Sequence, residues 1–262
     1  MSQLRILSYL PNPRIWKATI AARLNGVDLE IRGSAPKELQ SWLWDFDAHP
    51  LSADERAGSR EVPGRIGFKG ALHKTAAFLQ AHPFATVPAD GTVGIFESNS
   101  IMRAVARLGE SKAPLYGRDP YEASRIDSFL NASLVLARDS QIYLLALGSE
   151  ALSAEIHSRT RNAFGIYLAG INQALSPDRG FVVGNSLTLA DICFVAELAL
   201  FYNEKPWASD LEKRRLEPIV NPNVVTKFSR AMDHFTKLSK HPAFAPDVVP
   251  YLEKIEATLA RK

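Results

Sequence analysis

The spacing of apolar residues changes near residue 110, and this change most constrains how the chain can fold. Before it, short runs such as Val27–Ile31 alternate apolar and polar residues, which is the period of a half-buried strand. After it, long stretches have the spacing of amphipathic helices. The chain has 262 residues, more than a typical single domain. The sequence therefore predicts a mixed α/β domain over 1–109 and an all-helical domain over 118–262.

The first domain opens with a predicted strand, helix and strand. Leu4–Tyr9 is the first strand, and the helix runs from Arg14 to Leu24. Gly26 follows it, as expected of a helix C-terminal cap. Val27–Ile31 is the second strand. Because strand-crossover-strand connections are right-handed, these two strands should lie parallel in one sheet.

A hairpin and a helix complete the pattern of the first domain. Thr86–Ala89 and Thr92–Phe96 are predicted strands, joined by Asp90-Gly91, a favoured two-residue turn. A helix is expected from Glu97 to Leu108. The elements then occur in the order strand, helix, strand, hairpin, helix.

An insertion separates the two halves of this domain, over about residues 36–72. It contains Trp42, Trp44 and Phe46 and is too apolar for a flexible linker. We interpret it as a largely irregular segment with one short helix that folds onto the domain.

The second half is predicted to be helical almost throughout. The long amphipathic stretches lie at about 121–147, 152–175, 189–203 and 222–239. Thr188 and Asp191 form a variant of the capping box, so the apolar helix that they start should be the core of this domain.

Composition and charge narrow the function classes. No apolar run approaches the ~20 residues that span a bilayer, and the N-terminus lacks the features of a signal peptide, so we expect a cytoplasmic protein with no membrane partner. The net charge is only +3, and the cluster Lys213–Arg215 has no interleaved aromatic residues, which argues against a nucleic-acid-binding site.

No histidine pair has metal-ligand spacing, and no metal is expected. Cys193 is the single cysteine and lies in an apolar helix, which favours a buried structural thiol; thiol chemistry would need a thiol from outside the chain.

Three motifs resemble the glutathione transferase superfamily. They are Val87-Pro88 before the hairpin, Glu97–Ile101 at a helix start, and Gly184–Ile192 in the helical half. Within the superfamily the resemblance is closest to the transferase-like part of the gamma subunit of the eukaryotic elongation factor complex, through Arg14–Ala22 and Phe96–Asn99. The resemblance implies a thioredoxin-like domain that binds glutathione as co-substrate, a helical second domain, and a homodimer.

The resemblance also implies which residues hold glutathione. Ser98, at a helix N-terminus, would bind the γ-glutamyl carboxylate, and Glu97 would face the ammonium group. Pro88 would be cis and would turn the Val87 backbone toward the cysteinyl group. The alternatives are a plain helix cap at Glu97-Ser98 and an ordinary trans proline. Thr86 stands where the family has lysine or glutamine, so Lys74 or His73 would bind the glycine carboxylate instead.

The group that ionises the thiol is less clear from the sequence, because Leu10 occupies the place of the family's usual Tyr, Ser or Cys. Asn12 is the strongest remaining donor, although it has an alternative as a turn-forming asparagine. Tyr9 and Ser8 are weaker candidates for the same catalytic role. Arg14 would add positive potential to the glutathione site.

The electrophile pocket is expected between the two domains. Trp16, Asn131 and Arg138 are its candidate substrate-binding residues, with Tyr143 and the insertion tryptophans as further possibilities, and aromatic lining would suit a hydrophobic, aromatic substrate. The predicted reaction is attack of glutathione thiolate on an electrophilic carbon, including ether or halide displacement. A non-catalytic binding or scaffold protein of the same fold is the alternative, motivated by Leu10.

Overall fold

The computed structural model describes residues 4–64, 70–82, 89–90, 94–109, 114–177 and 179–260. The chain divides into two compact units, Met1–Glu110 and Ser111–Lys262. Strands occur in the first unit, whereas the described part of the second unit contains only helices and their connections.

The first unit contains both strands and helices. In chain order they are β1 (Leu4–Tyr9), α1 (Trp16–Asn25), β2 (Leu29–Ser34), β3 (Trp42–Trp44), β4 (His49–Pro50), α2 (Ala53–Gly58), β5 (Arg60–Pro63), β6 (Ala71–Lys74), α3 (Ala76–Ala81), β7 (Ala89–Asp90), β8 (Ile95–Phe96) and α4 (Ser98–Leu108). Short 3-10 helices precede α1, at Pro13–Ile15, and β3, at Pro36–Ser41.

Strands β1 and β2 are parallel neighbours in a sheet of order β2-β1-β7-β8. The predicted parallel pairing of the first two strands is therefore confirmed. Gly33 lies opposite Ser8, and a Cβ at Gly33 would lie 1.6 Å from the Ser8 carbonyl oxygen. Only glycine permits this approach. Gly26 has a φ of 66° and caps α1, also as predicted.

The hairpin is antiparallel, but its turn differs from the prediction. Asp90 is a strand residue that pairs with Ile95, and Ala89 pairs with Phe96. Because Asp90 is paired within the hairpin, the predicted two-residue turn at Asp90-Gly91 is wrong. Residues 86–88 and 92–93 of the predicted strands lie outside the described residues.

The insertion is more regular than its sequence suggested. It forms a second sheet, of order β4-β3-β6-β5, and α2 is its short helix. The strands are only two to four residues long, too short for alternation to reveal them. The insertion does fold onto the domain, as predicted. A shared core contains Leu7 of β1 with Leu39, Trp44, Ala48 and Phe78.

Ion pairs on the surface also join the insertion to the first sheet. Arg5 on β1 contacts Glu30 on β2 at 2.7 Å and donates to the Phe46 carbonyl oxygen at 2.7 Å. Arg32 contacts Asp47 at 2.9 Å. The turn after β3 is therefore held against the end of the sheet that carries β1 and β2.

The second unit is a helical assembly. Its helices are α5 (Pro120–Ala146), α6 (Ala154–Ala174), α7 (Leu189–Phe201), α8 (Ala208–Lys213), α9 (Pro222–Lys227), α10 (Ser229–Ser239) and α11 (Ala245–Leu259). The four predicted stretches are confirmed as helical, but the last is divided between α9 and α10 at Phe228. Helices α8 and α11 were not predicted.

Helix α7 is almost completely buried, and the carboxylate of Asp191 organises its start. The carboxylate accepts from the backbone N–H and the hydroxyl of Thr188, each at 2.9 Å. It also accepts from the Val182 N–H at 2.9 Å and contacts His234 Nε2 at 2.8 Å. The predicted capping box is present, and it additionally joins α7 to the preceding loop and to α10.

A second buried carboxylate, that of Glu204, binds the hydroxyl of Tyr143 in the core. The Tyr143 hydroxyl donates to Glu204 at 2.7 Å, and the backbone N–H groups of Ile219 and Val220 donate at 2.8 and 2.9 Å. Burial raises the pKa of Glu204 and that of Tyr143. Tyr143 is fully buried, so it belongs to the core of the second unit.

We predict that Asp191→Ala lowers the free energy of unfolding by about 3 kcal/mol or more, because each buried donor left without an acceptor costs about 1–3 kcal/mol. Thr188→Ala should cost about 1 kcal/mol, the usual effect of a lost cap. Urea unfolding of both variants measures this. Glu155→Ala, in the exposed first turn of α6, is the control, and an Asp191 variant no less stable than that control would contradict the prediction.

Candidate functional site

The start of α4 has a strained backbone. Glu97 has a φ of 75° and a ψ of 127°, whereas an ordinary N-cap residue has extended backbone angles. The Glu97 carboxylate accepts from the N–H groups of Asn99 at 3.1 Å and Ser100 at 3.3 Å. The capping role considered from the sequence is thus real. Helix capping does not require a positive φ, however, and residues with strained backbone angles concentrate at functional sites.

Ser98 is the first residue of α4 and is 7% exposed. Its hydroxyl donates to Glu97 Oε1 at 3.2 Å. Its backbone N–H belongs to the first turn of α4, where an α-helix offers no intrahelical acceptor. The hydroxyl, the N–H and the helix dipole together make this position suitable for an anion.

Lys17 of α1 extends to the same place. Its ammonium group donates to Ser98 Oγ at 3.2 Å and to Asn99 Oδ1 at 2.8 Å, and the residue is 1% exposed. A buried lysine is rare unless its charge is compensated by neighbouring groups. The start of α4 is therefore a buried polar cluster of Lys17, Glu97, Ser98 and Asn99, shared by two helices.

Sequence reasoning missed Lys17 and Asn99. The position of Lys17 in the sequence could have indicated its role. Lys17, Ile20 and Ala21 occupy one face of α1, and Ile20 and Ala21 are fully buried. A lysine inside such an apolar stripe must find polar partners. Asn99 gave no comparable signal.

Asn12 and Ser8 lie together at the end of β1. The Asn12 amide donates to Ser8 Oγ at 3.2 Å, and its Oδ1 accepts from the Arg14 N–H at 3.0 Å. Asn12 is 2% exposed and Ser8 is fully buried. The turn-forming role of Asn12 is therefore present, because it caps the 3-10 helix. One N–H of its amide is committed to Ser8, and the other is the one available to a ligand.

Tyr9 and Arg14 are placed differently. Tyr9 packs against the core cluster that contains Leu7 and Trp44, so it faces the insertion. Ser8, its neighbour in the strand, faces the opposite side of the sheet. Arg14 is half-buried. The structure thus brings Ser8 to Asn12 and directs Tyr9 to the other face.

The remaining glutathione-binding candidates are only partly described. Val87 and Pro88 lie outside the described residues, as does Thr86. Lys74 is fully buried, with its ammonium group 5.8 Å from the centre of the Phe78 ring. His73 is also buried, and its ring contacts Ser59 Oγ at 3.0 Å and an Arg56 guanidinium nitrogen at 3.1 Å.

The substrate-binding candidates lie in both units. Trp16 is largely buried in the first unit. Asn131 and Arg138 are exposed on α5 of the second unit, and Arg138 Nε contacts Asp139 at 3.1 Å. The predicted burial of Cys193 is confirmed, and its thiol donates to Ser133 Oγ at 3.2 Å.

In the part of the chain that the structure describes, no three His, Cys, Asp or Glu side chains come together as a metal site would require. None of the described helices is both long and apolar enough to cross a membrane.

No protein-family profile matches the sequence, but individual proteins are similar to it. Over 110 residues, 41% of this chain, the sequence is 33% identical to elongation factor 1-gamma of Trypanosoma cruzi. Over 194 residues, 71% of this chain, it is 25% identical to the glutathione S-transferase-like protein FUS3 of Gibberella moniliformis. The matched segments span 26% of that elongation factor and 72% of that fungal protein.

Solved structures show the same fold. Glutathione S-transferase isozyme E7 of Drosophila melanogaster has a TM-score of 0.65 and 17% identity, with 99% of this chain and 96% of that chain covered. A glutathione S-transferase of Methylobacterium radiotolerans, in complex with glutathione sulfonate, has a TM-score of 0.62 and 18% identity, with 94% and 95% covered. The thioredoxin-like and helical architecture predicted from the sequence is confirmed. The chain therefore has the fold of the glutathione transferases in these solved structures, and its sequence is similar to elongation factor 1-gamma and to a glutathione S-transferase-like protein.

Proposed function

We propose that this protein is a glutathione transferase that joins the thiol of glutathione to hydrophobic electrophiles, including aromatic compounds. The observation that carries the proposal is the buried polar cluster at the start of α4. There a serine hydroxyl, a helix N-terminus and a lysine ammonium group converge, and this combination suits a carboxylate. Glutathione has such a carboxylate in its γ-glutamyl group.

In this proposal each end of glutathione has its own partners. Ser98 holds the γ-glutamyl carboxylate and Glu97 holds the ammonium group. The Val87 backbone, oriented by Pro88, pairs with the cysteinyl backbone. Lys74 or His73 binds the glycine carboxylate.

The thiol must then lose its proton to solvent water. A cysteine thiol has a pKa of ~8.5, so only a few per cent is ionised at neutral pH. The amide of Asn12 stabilises the thiolate through its remaining N–H, and Arg14 adds positive potential. The sulfur attacks the electrophilic carbon and forms the C–S bond, and a halide, alkoxide or aryloxide leaves with the bonding electron pair.

A non-catalytic binding or scaffold role is the second candidate. Leu10 offers no hydroxyl where the resemblance implies an activating residue, and Asn12 is partly committed to Ser8. Four of the sequence relatives are, moreover, named as elongation factor 1-gamma. Retention on immobilised glutathione with turnover of an activated aryl halide would support the enzyme. Retention without turnover of any electrophile tested would support the scaffold.

We further propose that the protein acts in the cytoplasm as a homodimer. Its one cysteine is buried and hydrogen-bonded, which suits a compartment that keeps thiols reduced.

We predict that Ser98→Ala weakens glutathione binding by roughly 1.5–3 kcal/mol, the value of a hydrogen bond to a charged group. Titration calorimetry measures the dissociation constant. Ser100→Ala is the matched control, because Ser100 lies in the same helical turn and contributes only its backbone N–H to the cluster. An unchanged dissociation constant for Ser98→Ala would remove this hydroxyl from the site.

We also predict that Asn12→Ala raises the pKa of bound glutathione thiol by about one to two units, since one unit corresponds to about 1.36 kcal/mol and the lost bond is worth about 1.5–3 kcal/mol. The measurement is a pH titration of thiolate absorbance in the complex. Asn12→Asp should raise the pKa further, because it keeps the cap acceptor but places a negative charge beside the sulfur.

Ser8→Ala and Tyr9→Phe are titrated in parallel. If one of these shifts the curve while both Asn12 variants titrate as the wild type does, the role of thiol activation passes to that residue. If no variant shifts the titration curve, the thiolate is stabilised by backbone N–H groups at the start of α1.

A further inference from the structure

The hydrogen bonds at Ser98 form a directed chain that begins at Lys17. The ammonium group of Lys17 donates to Ser98 Oγ, and Ser98 Oγ donates to Glu97 Oε1, each at 3.2 Å. Lys17 and Ser98 are both buried. In the interior such a chain is stronger than in water, and each bond polarises the next.

The chemistry of lysine fixes the direction of this chain. An ammonium group has three donors and no acceptor, whereas a hydroxyl has one donor and two lone pairs. Ser98 must therefore accept from Lys17, and its own proton must point toward another acceptor. In the structure that acceptor is Glu97. Lys17 thus occupies one lone pair of Ser98 Oγ and directs the hydroxyl proton away from itself, toward an acceptor.

A second contact holds the ammonium group in place. Lys17 Nζ also donates to Asn99 Oδ1 at 2.8 Å, so it is attached to two successive residues of α4. A free lysine side chain samples many rotamers, and two anchors restrict it. The ammonium group is consequently fixed to the first turn of α4, where the helix dipole already favours a negative charge.

We propose that Lys17 is a positioning residue that acts through Ser98 to make the site selective for a carboxylate on the γ-glutamyl group. This inference rests on the proposed glutathione site and adds a specificity determinant to it. When glutathione binds, the Ser98 proton turns from Glu97 to the ligand carboxylate, and Lys17 continues to donate to Ser98 Oγ. A ligand without that carboxylate gains nothing from the arrangement.

The test compares two ligands by calorimetry. One is glutathione, and the other is 4-aminobutyryl-cysteinyl-glycine, which lacks only the γ-glutamyl carboxylate. Lys17→Met, which keeps an unbranched side chain but removes all three donors, should weaken glutathione binding about 10- to 100-fold. It should change the affinity for the analogue by no more than about threefold. Equal losses for both ligands would assign Lys17 a purely structural role and overturn the proposal.

A double-mutant cycle tests whether the effect passes through Ser98. In the Ser98→Ala background, Lys17→Met should weaken glutathione binding by no more than about threefold further. A loss as large as in the wild type would show that Lys17 acts independently of Ser98, which overturns the proposal. Lys74→Met is the matched control, because Lys74 is equally buried but is not bonded to Ser98. It should alter the binding of the two ligands by the same factor.

Folding is checked by thermal denaturation of each variant. Lys17→Gln is a second variant that removes the charge and retains a polar tip, and it should show the same ligand discrimination as Lys17→Met. If neither variant folds, Lys17 serves the core and the proposal is overturned. If the wild type binds neither ligand, the proposed function itself fails. Wild-type binding with no discrimination in the Lys17 variants overturns only this inference.

Discussion

The burial of the Lys17 ammonium group sets the geometry of the junction between α1 and α4. A charge removed from water must recover its hydrogen bonds from the protein, and Lys17 recovers two of them from the first turn of α4. Helix α1 therefore cannot slide along α4 without breaking both bonds. The same bonds orient Ser98 and Asn99, so the packing of the first unit and the polarity of its candidate site come from one interaction.

The strained Glu97 depends on this junction. A glutamate with positive φ is unfavourable in isolation, and it persists because its carboxylate accepts from two N–H groups of α4 and from Ser98. Asn12 and Ser8 lie together at the end of β1. Gly33 allows β2 to approach the Ser8 carbonyl closely, and the strand pairing continues to Tyr9 and Ser34.

The parts of the fold that the sequence predicted are those with a long hydrophobic periodicity or with clear capping residues at their ends. The first strand pair, α1 with its Gly26 cap, the box at Thr188 and Asp191, and the long helices all have such signals. The insertion was misread because two- to four-residue strands carry no measurable alternation. In the candidate site, Ser98 and Asn12 were proposed from motif and position. Lys17 did not, because its role arises only when α1 packs on α4, a contact between residues far apart in the chain.

The second sheet adds two outer strands, β4 and β5, to a fold that does not otherwise need them. Open strand edges recruit other chains, and proteins protect them with proline and charge. Both outer strands end in a proline, Pro50 in β4 and Pro63 in β5, which lacks the N–H that a further strand would require. Arg60 and Glu61 lie exposed on β5. The insertion therefore enlarges the domain and, at the same time, keeps its new edges from aggregating.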